Sequence, residues 1–374
     1  MNRNIWILLI TSSVFSVCFG IYDFVLPIYL KQINVSYENM ALIFGISAIL
    51  IFFLRLFVGA HSDVIGRKPF YSSGLFISAI SNVLTPLFPA IIPLTALKTL
   101  REAATLVRDT MRSIMVFENA KDRFLKFISR FVGLEYFLQG AGTLIAGLLI
   151  PSTAFYSCGI LLFLAAIFFS KTYKEKFIPV KKSGAKLKFE DIMKIDLPPK
   201  LKIITIASFV FTIGLNISHS FIMPLFFIVK FNASPIEAAL ILMIHRMSLG
   251  LPMFVYGNFL KHNLKFIYII TILFEGISIG VSAVIPNFWI ATIIWLLHDI
   301  FGAAFWVPIQ NTFIQQYARE ESRGKDTSEV VALASLGAVI APFIAGALAP
   351  IDISLPFLAS GIVIFVSGFI LVKL

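Results

Sequence analysis

The sequence predicts an all-α integral membrane protein: twelve transmembrane helices in two pseudo-symmetric six-helix bundles. Three observations lead there. Of 374 residues, 58% are hydrophobic and 14% charged, whereas a soluble globular domain carries about 25% charged residues. Mean hydropathy is +0.91, too apolar for a single enclosed core, so the excess faces lipid. Apolar windows near the length a bilayer demands, about 20 residues, recur along the whole chain.

In order, the windows are 5–30, 41–58, 70–90, 91–116, 125–150 and 155–171, then 203–228, 238–260, 264–285, 288–316, 328–349 and 354–372. The first is too long for a secretory signal, contains Asp23 and is followed by no small-residue cleavage site, so it is kept as a span. With a cytoplasmic N-terminus, loops on that side hold 23 of the 31 Lys and Arg. Lys31 and Lys230 fall outside, and the remaining six lie within spans. The positive-inside rule then puts both termini in the cytoplasm, with the plasma (inner) membrane as the expected location. Net charge +11 is thus spent on orientation, and no nucleic-acid partner is expected.

The stretch 171–202, with ten Lys and Pro198-Pro199, divides the chain. The expected organisation is an N-terminal bundle over 1–170, a basic cytoplasmic linker over 171–202 and a C-terminal bundle over 203–374. Leu187, Phe189, Ile192, Met193 and Ile195 suit either a short helix on an anionic leaflet or a plain solvated loop.

The halves repeat one another. Leu26-Pro27 matches Met223-Pro224, Ala41-Leu42-Ile43 matches Ala239-Leu240-Ile241, and Gly59 matches Gly257. Leu100-Arg101-Glu102 matches Leu297-His298-Asp299, and Ala146-Gly147 with Pro151 matches Ala345-Gly346 with Pro350. The offset stays between 197 and 199, as a duplicated six-helix unit requires.

Between the second and third spans stands Gly59-Ala60-His61-Ser62-Asp63-Val64-Ile65-Gly66-Arg67-Lys68. It resembles the signature motif of the major facilitator superfamily at the position that family places it. Gly59, Asp63, Gly66, Arg67 and Lys68 match, while Val64 replaces a usual basic residue. Gly59 suits close helix approach and Gly66 a tight turn. The resemblance implies a cytoplasmic gate in which Asp63 faces the start of the eleventh helix near Thr327 and Ser328. Arg67 would pair with Asp109 or Glu118. Arg67 and Lys68 as simple orientation anchors is the competing explanation.

With Lys126, Arg130, Lys171, Lys265 and Glu329 at the cytoplasmic ends of their windows counted with the loops, six acids (Asp23, Glu102, Asp109, Glu135, Glu275, Asp299) and six bases (Arg55, Lys98, Arg101, Arg108, Arg112, Arg246) lie within spans. A charge at the bilayer centre costs about 2.5–3.5 kcal/mol on insertion scales, so pairing or a wet cavity is required. The third, sixth and twelfth spans have none and the ninth only Glu275, which fits their role as outer supports in the family's fold. The fourth helix carries Lys98, Arg101, Glu102, Thr105, Arg108, Asp109 and Arg112 on one stripe. Arg108-Asp109 resembles a pair of efflux-type members, and a structural salt-bridge ladder explains it equally.

Asp23, four residues before Pro27, resembles the first helix of multidrug/proton antiporters. It is the first proton-coupling candidate, followed by Glu102 and Glu135; a static pair with a fourth-helix base is the alternative. Tyr22, Arg55, Lys98, Arg101, His219, His245, Arg246, His298 and Asp299 are candidate substrate-cavity residues, the histidines being open also to a packing role. The five His are spread along the chain and neither Cys18 nor Cys158 stands at ligand spacing from one, so no metal site and no cofactor are expected. The fifth helix lacks the proline of exporters, and the better Gly-Pro pattern, Gly337 with Ala341-Pro342, falls in the eleventh. Gly276-Ile277-Ser278-Ile279-Gly280 mimics a hydrolase elbow but lies in an apolar span, where it suits packing; catalysis is not expected.

These readings lead to a secondary transporter working by alternating access on a small solute, as a monomer in the lipid bilayer. Proton-coupled efflux of amphipathic or aromatic compounds comes first. A proton-coupled uptake symporter for an organic or inorganic anion is the alternative, and a non-transporting receptor or scaffold on the same fold is a third.

Overall fold

The computed structural model describes residues 3–120, 124–175, 195–256, 263–319 and 323–374, and all regular structure among them is helical. The first half contains α1 (Arg3–Gln32), α2 (Tyr37–Ile65), α3 (Arg67–Leu84), α4 (Ile91–Ala120), α5 (Phe124–Ala146) and α6 (Pro151–Thr172). In the second half three rods are interrupted. α7 (Pro199–His219) continues as α8 (Ile222–Phe231), and α9 (Pro235–Tyr256) and α10 (Leu264–Val284) follow. α11 (Phe288–Leu297) passes through a π-helical turn (His298–Ala303) into α12 (Ala304–Tyr317). α13 (Arg323–Ser335) continues as α14 (Gly337–Leu348), and α15 (Leu355–Ile370) runs into a final 3-10 turn (Leu371–Lys373).

Each apolar window falls on one rod, and the interruptions have local causes. Pro224 has no N–H for the carbonyl of Ser220, which is where α7 stops, and Pro308 has none for Ala304, where the π turn closes. α2 runs past its expected end at 58 to Ile65, so that only Gly66, with φ 107°, separates it from α3. Among the described residues seven helices are long and apolar enough to cross a membrane on length and composition. α4 is not one of them, because its stripe of charges lowers its hydropathy while its other faces stay apolar.

Packing repeats between the halves. α1 packs on α5 and α6, and α3 on α6; correspondingly α7 packs on α14 and α15, and α10 on α15. The halves meet along two seams, α5 against α9 and α2 against α14. A Cβ on Gly147 would stand 2.6 Å from that of Ala239, and one on Gly346 would stand 2.7 Å from that of Ala41. These are the residues that repeat at a constant offset, so the duplicated sequence encodes a duplicated contact. Both contacts lie at the end of the molecule opposite the termini, the distal end, where Tyr37 and Phe44 also pack on Phe221. At the other end, Asn4 Nδ2 donates to the Lys174 carbonyl at 2.8 Å, and Lys265 Nζ to that of Val372 at 3.0 Å.

The outer rods present apolar side chains to lipid: Ile80 on α3, Ile160 and Leu164 on α6, Phe266 and Ile277 on α10, and Ile362 on α15 are all exposed. Of the linker, Lys171–Glu175 and 195–202 are described; the expected leaflet helix lies outside the described residues apart from Ile195.

Candidate functional site

The polar residues converge where the two halves face each other. Gly20 of α1 lies directly against the Gln139 carbonyl of α5, and Thr143 Oγ1 donates to the Gly20 carbonyl at 3.3 Å. This close approach places Asp23, one turn further on, beside the seam with α9. There Arg246 of α9 donates through Nη2 to Asp23 Oδ2 and through Nη1 to Gln139 Oε1 at 2.7 Å. The static alternative for Asp23 was a fourth-helix base; its partner is instead a base of the opposite half. The residue sequence reasoning missed is Gln139, which follows Glu135 and precedes Thr143 at four-residue steps and so extends a polar stripe on α5.

Cations of α4 lie over rings in the same region. The guanidinium carbon of Arg101, a side chain with 1% relative exposure, lies 3.7 Å from the Tyr22 ring centroid, and Lys98 Nζ lies 4.4 Å from that of Phe44. Glu102 is shared between both, at 2.9 Å from Lys98 and 3.7 Å from Arg101. Lys98, Arg101, Glu102 and Tyr22 are thus brought together near Asp23. One turn or more towards the termini, Arg108 and Arg112 bind Asp109 and Glu135, with Arg108 3.5 Å from Glu135 and Arg112 3.8 Å from Asp109. Arg108 also lies 3.9 Å from the Phe15 ring centroid. Glu135 is therefore a member of this ladder, held by two guanidinium groups, and stands apart from Glu102 and Asp23.

At the signature motif, Arg67 Nε is 3.3 Å from Glu118 Oε1, which selects Glu118 over Asp109 as its partner. Glu175, just past α6, accepts from the backbone N–H groups of Arg67 and Lys68 and covers the start of α3. Its place beside residue 67, more than a hundred positions away in the chain, is not visible in sequence spacing. The side chains of Arg55, Gly59 and Asp63, and with them the expected Asp63 gate, lie outside the described residues. Outside the membrane segments, Arg319 donates to Asp326 and Asp196, and these bonds hold its guanidinium pKa above the ordinary value.

The second half corrects the expectation that the histidines are scattered. His219 at the end of α7, His245 of α9 and His298 of the π turn each place a ring nitrogen within 4.8 Å of the others. Their distance in sequence concealed this, because three separate rods supply them. His245 Nδ1 is 2.7 Å from Asp299 Oδ2, and His298 Nε2 is 3.4 Å from Asp299 Oδ1. Glu275 accepts from Trp306 Nε1. Cys18 and Cys158 are free, buried thiols whose Sγ atoms each approach the other residue's carbonyl, at 3.8 and 3.9 Å. In the hydrolase-like run, Gly276 packs against the backbone of Gly361 and Phe365, which is helix packing.

The arrangement has what a transporter needs: a pair of charged side chains links the two halves, and interrupted rods stand beside it. The fold agrees. Solved structures with similar folds include a nucleoside transporter, NupG (16% identity, covering 100% of this chain and 99% of that one, TM-score 0.79). A bacterial homologue of the iron transporter ferroportin in an inward-facing state is similar too (14% identity, covering 99% and 98%, TM-score 0.77). So is the human organic anion transporter MFSD10 (14% identity, 99% of each chain, TM-score 0.73). None of the curated proteins compared matches the sequence. The sequence profile described as Major Facilitator Superfamily matches residues 8–262 and 204–374, which together span nearly the whole chain. The chain therefore belongs to the Major Facilitator Superfamily and is an integral membrane transporter of that family.

Proposed function

We propose that the protein is a proton-coupled secondary transporter that exports amphipathic or aromatic compounds, with Asp23 as its proton site. The observation that carries this reading is the ion pair between Asp23 of the first half and Arg246 of the second. The Asp23 side chain keeps 36% of its surface accessible, so the pair lies between an exposed one, about 0.2–1 kcal/mol, and a buried one, about 3–5 kcal/mol, and it resists separation of the bundles while both groups are charged. A proton taken up by Asp23 on one side cancels one charge and frees Arg246. Rocking then exposes the site to the other side, where the proton leaves and the pair re-forms. Phe19 and Phe44, both half-buried, offer ring surface to an aromatic solute, with Tyr22 buried behind Arg101 as support, and Glu102 near them offers a second carboxylate. The transporter works as a monomer in the plasma (inner) membrane with both termini in the cytoplasm, the bilayer, protons and the solute being its partners.

A second reading, uptake of an organic or inorganic anion with protons, is favoured by one observation: Lys98, Arg101 and Arg246 outnumber Asp23 and Glu102 in this region. The relative MFSD10, described as an organic anion transporter, points the same way.

Proteoliposomes under an imposed pH gradient test both. Export predicts gradient-driven movement of a fluorescent aromatic cation, collapsed by a protonophore; anion symport predicts movement of an aromatic carboxylate instead. No movement of either class under any gradient favours a receptor or scaffold. Asp23→Asn keeps the side chain's shape and is expected to lower gradient-driven transport at least tenfold at unchanged protein level. Undiminished transport by that variant would remove Asp23 from the mechanism.

A further inference from the structure

We infer that His219, His245 and His298 form a binding site for one divalent transition-metal ion of the class that prefers imidazole, such as zinc, cobalt or nickel. The inference goes beyond the proposed function, since it depends neither on Asp23 nor on which solute is moved.

The first support is convergence. One ring nitrogen from each histidine lies within 4.8 Å of the others. Imidazole nitrogens bound to zinc at 2.0–2.1 Å in tetrahedral geometry stand about 3.3 Å apart. The rings therefore have to close by about 1.5 Å at most, which side-chain rotation supplies.

The second support is how each ring is held. In metal sites the histidine nitrogen that does not bind the ion is fixed by a carboxylate, a backbone carbonyl or another oxygen, which sets the tautomer. Here the Nδ1 of every member meets an oxygen. His245 Nδ1 meets Asp299 Oδ2 at 2.7 Å, His298 Nδ1 meets the Trp295 carbonyl, and His219 Nδ1 meets Ser218 Oγ at 2.8 Å. Of the opposite nitrogens, those of His219 and His245 take part in no described hydrogen bond or ion pair, and His298 Nε2 has only the 3.4 Å approach of Asp299 Oδ1, a contact that a bound ion would replace. His219 Nε2 is buried and makes no hydrogen bond, and neither does Asp299 Oδ1. Buried polar atoms without partners are uncommon in native proteins, and an ion at this point would engage the nitrogen directly and the carboxylate by charge.

The third support is charge and backbone. Asp299 is fully buried, and its ion pairs among the described residues are to histidines alone. The carboxylate of Glu275 lies against Gly302 of the same π turn. Two acids thus share a buried region with imidazole and indole groups; the Arg246 guanidinium reaches this region only by its field and is itself paired with Asp23, so a divalent cation would be the full positive charge in direct contact with the cluster. Two of the three ligands stand at helix interruptions, His219 at the end of α7 and His298 in the π turn, while His245 comes from the middle of α9; in transporters discontinuous helices are where ions are bound. His219, half-buried, is the open side of the cluster.

Trp295 offers a built-in reporter: its ring centroid lies 6.0, 4.8 and 5.1 Å from those of His219, His245 and His298. The test uses the full chain without a histidine tag, in nanodiscs, treated with chelator and titrated with Co²⁺ alone. The expected result is saturation at one ion per chain, visible ligand-field absorption, quenching of tryptophan fluorescence, and displacement by Zn²⁺. Trp295→Phe should keep the absorption and lose most of the quenching. His219→Ala and His298→Ala should each bind at least tenfold more weakly. Should those variants fail to fold, X-ray absorption of the zinc-loaded native protein decides, with three imidazole nitrogens expected around the ion. Absence of stoichiometric Co²⁺ binding, unchanged affinity in the histidine variants, or a zinc shell without three imidazoles would overturn the site. None of these readouts involves transport, so this inference and the proton-coupled reading stand or fall separately.

Discussion

Gly66 shows how much one residue can determine. Its φ of 107° belongs to a region that a side chain disfavours, and a Cβ there would come within 3.0 Å of the Glu175 carboxylate that caps α3. With ψ at 167° this is a region essentially reserved for glycine, where another residue costs about 1–3 kcal/mol, and the displaced carboxylate adds to that. Gly66→Ala is accordingly expected to lower the thermal midpoint of the detergent-solubilised protein, and Glu175→Gln, which keeps an acceptor, should lower it less. Equal stability of Gly66→Ala and the native chain would contradict this account of the turn. At this scale the sequence was informative wherever a charge stood at bilayer depth, because insertion cost forces such a residue towards a partner: Asp23, Arg101 and Glu102 were found that way. It did not reveal Gln139 or Glu175, which are neutral or lie outside the apolar windows. Nor did it reveal the histidine cluster, whose members come from three rods.

Among elements, the seams between halves depend on small residues. Gly147 fits against Ala239, and Gly346 against Ala41, with no room for a larger side chain. Adding methyl groups to a filled contact costs about 1–3 kcal/mol. Gly147→Val and Gly346→Val should therefore force the distal seams apart, leaving the bundles folded but lowering transport at least tenfold in proteoliposomes. Undisturbed activity in both would show that these contacts are not maintained during the cycle. The repeat itself was legible because both copies must solve the same packing problem. The interruptions at Ser220–Phe221 and His298–Ala303 were not, although Pro224 and Pro308 mark them: a proline four residues beyond a break withholds one hydrogen bond, and apolar windows do not register it.

For the whole molecule, the structure is closed at its distal end by both seams and by the packing of Tyr37 and Phe44 on Phe221. A transport cycle requires that closure to be temporary. The double variant Ala41→Cys with Gly346→Cys places two thiols where a modest separation of about 1 Å reaches disulfide geometry. Oxidation should halt transport and reduction should restore it, read as solute flux before and after a reductant; flux that persists in the cross-linked protein would mean that the distal end never opens. The native Cys18 and Cys158 are buried and interfere little with this reading.

Helix α9 carries a consequence of its own. His245 faces Asp299 within its own half, while the very next residue, Arg246, reaches across to Asp23 and Gln139 of the other. Neighbouring side chains on a helix diverge by about 100°, and one orientation of this rod satisfies both partnerships here, so a roll that breaks one displaces the other. Occupancy on one side of α9 must bias occupancy on the other, and thermodynamic reciprocity makes the influence equal in both directions.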